Sequence, residues 1–165
     1  MCRAVAPLAA SCAVFAAFFL LTGPSASAAD LVNARLTACS KVGKSIGDVN
    51  SCGKMWKIKS GKAQLTADGK LTADLNGLVL NDKTVPSDMN GTANGVTEVV
   101  ATLVCREAGG AKAVAETTRV PLSKSGDAKI NTNLTVPKDC AAPVVVIREI
   151  WEGKVGGWLA RTGSD

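Results

Sequence analysis

The chain has 165 residues, with 19 Lys and Arg against 14 Asp and Glu and no histidine or tyrosine. Its length suits a single domain, and its formal net charge of +5 is too modest to mark a nucleic-acid binder. The missing histidine excludes nucleophile–His catalysis and imidazole metal ligands.

In chain order, the first feature is an export signal over residues 1–28. Arg3 supplies the positive start, Ala13–Leu21 the apolar centre, Gly23 and Pro24 a break, and Ala26-Ser27-Ala28 the small-x-small cleavage pattern. The apolar centre is well short of the roughly 20 residues a spanning helix needs. Cleavage is therefore expected before Ala29, leaving residues 29–165 as one domain. Leu36-Thr37-Ala38-Cys39 has the form of a lipoprotein box, but the charged stretch Asp30 to Arg35 separates it from the apolar centre, so no lipidation is expected. The alanine-rich signal points to a bacterial source, and the mature chain is expected to be secreted or extracytoplasmic, in the periplasm or at the cell surface.

Cleavage removes Phe15, Phe18, Phe19, Cys2 and Cys12. It leaves Trp56, Trp151 and Trp158 as the only aromatics, and Cys39, Cys52, Cys105 and Cys140 as the only cysteines. Four cysteines in an oxidising compartment read as disulfides with three connectivities. Cys39–Cys52 and Cys105–Cys140 are favoured because each pair lies within one half of the chain. A zinc site fits poorly, with no Cys-x-x-Cys and no histidine, so no metal and no cofactor is expected.

Residues 31–52 show no clean period. From Lys62 to Leu75 the period is two: Ala63, Leu65 and Ala67 alternate with polar residues, as do Leu71, Ala73 and Leu75. A two-residue Asp68-Gly69 turn would oppose Leu65 with Thr72. A three-residue turn, Ala67-Asp68-Gly69, opposes Leu65 with Leu71 and is preferred. The apolar parity flips after Gly77, which predicts a bulge there. Asn81–Gly95, with Pro86 and two Asn-Gly pairs, reads as the long loop.

Strand character returns at Thr97–Cys105, with Val99, Ala101, Leu103 and Cys105 on one face. A turn over Ala108–Lys112 and a weaker strand over Ala113–Leu122 follow. Ala128–Val136 alternates, Val144–Ile150 is apolar enough for a strand buried on both faces, and Gly157–Thr162 closes the domain after a Glu152-Gly153 turn. The sum is an all-β domain, expected as an immunoglobulin-like sandwich of about seven strands, although the Cys…Trp…Cys spacing of true immunoglobulin domains is absent.

The runs Ala101-Thr102-Leu103-Val104-Cys105, Val120-Pro121-Leu122-Ser123 and Gly126-Asp127-Ala128 carry a resemblance. So do Pro137, Cys140, Ala142-Pro143 and Gly157-Trp158-Leu159-Ala160. In this order they resemble small exported bacterial proteins of unknown function. The resemblance spans roughly residues 60–163; it implies a β-rich exported domain and carries no activity and no site residues.

Two catalytic readings are weak on chemistry. Ser123-Lys124 has the composition of a Ser-Lys dyad, but Ser-Gly turns commonly contain that pair. Glu149 and Glu152, near Trp151, have the composition of a glycosidase pair, while Glu152-Gly153 also reads as an ordinary turn. The remaining functional feature is cationic. Arg35, Lys41, Lys44, Lys54, Lys57, Lys59 and Lys62 stand against Asp30 and Asp48, with Trp56 among them. Lys54, Trp56, Lys57, Lys59 and Lys62 define a candidate patch for an anionic cell-wall polymer. The sequence therefore leads to a non-enzymatic extracellular or cell-envelope binding module. The alternatives are an inhibitor of a secreted enzyme presenting Asn81–Gly95 and a polyanion-binding surface protein. No partner is specified beyond an anionic polymer or another extracellular protein, nucleic acid is not expected, and the mature chain has no expected membrane span.

Overall fold

The computed structural model describes residues 28–93 and 95–163; residues 1–27 of the expected export signal lie outside the described residues. The described chain is all-β, with eleven strands rather than about seven. They are β1 (Asp30–Ala38), β2 (Trp56–Lys57), β3 (Ser60–Thr66), β4 (Lys70–Asn76), β5 (Val79–Leu80), β6 (Glu98–Glu107), β7 (Gly110–Glu116), β8 (Val120–Pro121), β9 (Ala128–Asn133), β10 (Ala141–Trp151) and β11 (Lys154–Thr162). Nine form one antiparallel sheet in the order β7-β6-β10-β11-β1-β3-β4-β9, with β8 also on β6; β2 and β5 pair separately.

β1 joins the two halves of this sheet by changing partners midway. Its first part pairs with β3, from Asp30↔Thr66 to Arg35↔Lys62, and its end pairs with β11, from Leu36↔Thr162 to Ala38↔Ala160. β8 packs beside β9, so the far ends of the sheet come together around a common core. Val32, Leu65, Leu71 and Ile130 face that core from one half, and Leu103, Val145 and Ile147 from the other. The result is a sandwich-like all-β fold.

The hairpin between β3 and β4 has the expected register, Leu65↔Leu71. Gly69 has φ +91°, its N–H donates to the Thr66 carbonyl at 2.9 Å, and a Cβ there would stand 2.0 Å from the Leu134 carbonyl oxygen. Only glycine fits a left-handed position so closely covered. The expected bulge at Gly77 is instead an exit. β4 ends at Asn76, and the next apolar residues form β5 on β2, which explains why the parity flips.

One further reading needs correction. Ala113–Leu122 is two strands, β7 and β8, because Thr117 turns inward to bond the Ala101 backbone on β6. β6 has Val99, Ala101, Leu103 and Cys105 on one face as expected, and its other face is buried as well from Val100 to Val104. Residues 40–50, which sequence periodicity could not place, pack onto the same half of the sheet. This segment lies across β11, where the Trp158 N–H and Nε1–H donate to the Asn50 and Lys44 carbonyls at 2.9 and 2.7 Å. Its other end reaches β7, where the Ala113 N–H donates to Asp48 Oδ1 at 2.8 Å. It straps the sheet from β11 to β7, and its Val49 is buried in the same core cluster as Val104 and Trp158. Cys39–Cys52 ties the base of the strap, and Cys105–Cys140 links β6 to the loop before β10, both as the cysteine spacing predicts.

Candidate functional site

At one end of the sandwich the core opens into a recess of about 350 Å³. Trp56 on β2 and Leu80 on β5 form the buried wall, and Val96, just before β6, adds to it. Val85 and Met89 close the side from the 81–95 loop, and Glu149 and Trp151 enter from the last turn of β10. Glu149 and Trp151 are two apart on one strand, so both side chains fall on the same face. Gly53 and Lys54 complete the rim, just beyond the Cys39–Cys52 bridge.

Each wall is held by identifiable contacts. The Trp56 N–H donates to the Cys39 carbonyl at 2.8 Å, and the ring is only 3% exposed. Trp151 is 51% exposed, and its ring edge lies over Gly95, where a Cβ would come within 2.8 Å of Cζ3. The loop is rigid at its base through Asp82. The Asp82 carboxylate accepts from the Met55 N–H at 3.0 Å, the Thr84 N–H at 2.8 Å and the Thr84 hydroxyl at 2.7 Å. Those bonds, led by Met55, hold its pKa at about 2. Asn90 exchanges two hydrogen bonds with the Asp82 backbone, at 2.9 Å each.

Glu149 is the chemically distinctive group. Burial pushes its carboxyl above the usual carboxylate range, opposed only by the Gly157 N–H, which donates to Oε1 at 3.4 Å. Among the described residues it joins none of the ion pairs within 4 Å. Glu152, its proposed catalytic companion, sits exposed in the β10–β11 turn with φ +48° and does not line the recess. The Ser123 hydroxyl is engaged in its own turn: it lies 2.9 Å from the Ser125 hydroxyl and accepts the Asp127 N–H at 2.9 Å.

The five residues of the basic patch do not form one surface. Lys54 and Trp56 border the recess, Trp56 as a core side chain. Lys59 and Lys62 line a separate shallow groove of about 830 Å³ with Arg35, Asp74, Asp127 and Lys129. Lys57 lies exposed on β2. In the groove, register places Arg35, Lys62, Asp74 and Lys129 in one row across β1, β3, β4 and β9.

Sequence reasoning placed Glu149 beside Trp151 and found Trp56 apart from them, but not the convergence of the three. The signal available was the position of Glu149 and Trp151 two apart at the end of an otherwise apolar strand. No family model matches the chain, and comparison with curated proteins and with solved structures returns no match.

Proposed function

We propose that the protein is an exported, non-enzymatic binding module of the cell envelope or extracellular medium, built on an immunoglobulin-like sandwich, with the Trp56–Trp151 recess as its binding site. The observation that carries this reading is a preformed recess, mostly apolar and aromatic, with a single desolvated carboxylate. Such a lining, in a volume of a few hundred Å³, is characteristic of small-ligand sites. Two disulfides within the chain favour an oxidising compartment, in keeping with the export pattern of residues 1–28 and the resemblance to small exported bacterial proteins. Val85 and Met89 turn into the recess, which favours the 81–95 loop as a wall of the site over a loop presented to an enzyme.

The test is a fragment screen followed by NMR. Ligands of the site should shift the Trp56 and Trp151 indole N–H resonances and the Met89 methyl together, leaving Trp158 unmoved. A screen in which no fragment moves this set rejects the reading.

Arg35, Lys59 and Lys62, which share the groove beside the Lys129–Asp74 ion pair, support a second reading, binding of an anionic polymer along the β1-β3-β4-β9 face. Binding of a heparin-like or teichoic-acid-like polymer should fall steeply as salt rises, because screening shortens to about 8 Å at physiological strength. It should be lost in R35E/K59E/K62E. Equal binding by that variant sinks it.

A further inference from the structure

We infer that the recess takes a small organic cation, its ammonium head between the Glu149 carboxylate and the Trp151 ring and its apolar body against Trp56, Val85 and Met89. This rests on the recess being the binding site. Glu149 is drawn into an apolar recess with one long hydrogen bond and, among the described residues, no ion-pair partner. A half-buried charge in that condition is costly, and a cation brought by a ligand relieves the cost.

The second element is the indole beside it. The face of a tryptophan ring carries negative potential and attracts a cation held within about 6 Å of its centre, and Trp151 is exposed on the same strand face, two residues away. Carboxylate and indole therefore select the same sign of charge. Lys54 lines the same recess, but its Nζ donates to the Thr84 hydroxyl at 3.0 Å, on the Asp82 side, so its charge is directed away from Glu149. An anionic ligand would meet Glu149 unscreened, and a neutral one would leave it desolvated and unpaired. The volume of about 350 Å³ fits a head group with a short body rather than a polymer.

The experiment uses three probes of nearly equal size: choline, its uncharged carbon isostere dimethylbutanol, and the anionic dimethylbutyrate. Each is titrated into the protein while the indole N–H resonances are followed. Choline should bind about tenfold more tightly than dimethylbutanol, the scale of one partly desolvated ion pair with a cation–π contact. Dimethylbutyrate should bind weakest. Glu149→Gln should remove the preference for choline without changing the affinity for dimethylbutanol, and Trp151→Leu should weaken choline. Unmoved Trp158 resonances verify the fold of each variant. If dimethylbutanol matches choline, or Glu149→Gln retains the preference, the cation assignment is overturned while the recess stands as a site. If none of the three moves Trp56 or Trp151, the cation assignment falls, and the recess falls with it only if the fragment screen also moves neither.

Discussion

Asp82, at the base of the loop that walls the recess, and Glu149, which lines it, are driven in opposite directions. Three donors converge on Asp82 and favour its ionised form, whereas burial disfavours the ionised form of Glu149. The consequences for stability have opposite signs. Asp82 ionises more readily in the fold than in the unfolded chain, so its contribution is present above the ordinary aspartate value of about 3.9 and is lost as pH falls toward about 2. Asp82→Asn should lower Tm at pH 7, and the deficit should shrink between pH 4 and pH 2. Glu149 holds its proton more tightly in the fold, so its contribution is complete at low pH and is lost as pH rises through its raised value. Glu149→Gln should therefore gain in Tm relative to the parent on going from pH 4 to pH 7. Thermal melts of both variants across that range check the pair. Parallel pH trends in the two would show that one of the assigned causes is wrong.

At the scale of elements, the strap over residues 40–50 shows why an irregular segment resists sequence reading, whereas the 81–95 loop was legible from its Pro and Asn-Gly turn signals. Alternation reports a strand with one face on a core. The strap has neither, since it is held by Trp158 and Asp48 contacts to strands more than 60 residues away. β1 escaped for a related reason: its pairing passes from β3 to β11, with a shift of register between Asp30 and Val32. By contrast, the β3–β4 hairpin and β10 were legible because turn chemistry and a continuous apolar run are local signals. The cysteine pairs were legible too, since near neighbours in sequence are the cheapest to close. Cys39→Ala with Cys52→Ala should cost about 3 kcal/mol and Cys105→Ala with Cys140→Ala about 4 kcal/mol on the chain-entropy account, their spacings being 13 and 35 residues. Loss of the first bridge should also loosen the strap, read as a red shift of Trp158 emission in a Trp56→Phe/Trp151→Phe background, where Trp158 is the one tryptophan left. An unshifted spectrum would mean the Trp158 and Asp48 contacts hold the strap unaided.

For the whole molecule, the fold class and the disulfides were readable from residue pattern, while the recess was not. Its walls come from β2, β5, a loop and β10, which are distant in sequence and meet only once the sheet has folded around the core. The basic stretch illustrates the converse. Lys54 through Lys62 are neighbours in sequence, yet they are parted by the core position of Trp56 and the separate pairing of β2 and β3. Density of charge along a chain is no measure of density on a surface.

The exchange of partners along β1 also orders events in time. Residues 30–38 are among the first of the domain to emerge, yet Leu36–Ala38 have no lateral partner until residues 154–162 exist to supply one. A chain released segment by segment must keep that edge open almost to its end, and such long-range closure makes folding slow. Chains ending at Gly153 should remain protease-sensitive throughout, whereas the full chain becomes resistant in one step. If the shorter chain already resists digestion, the seam between β1 and β11 is not what completes the fold.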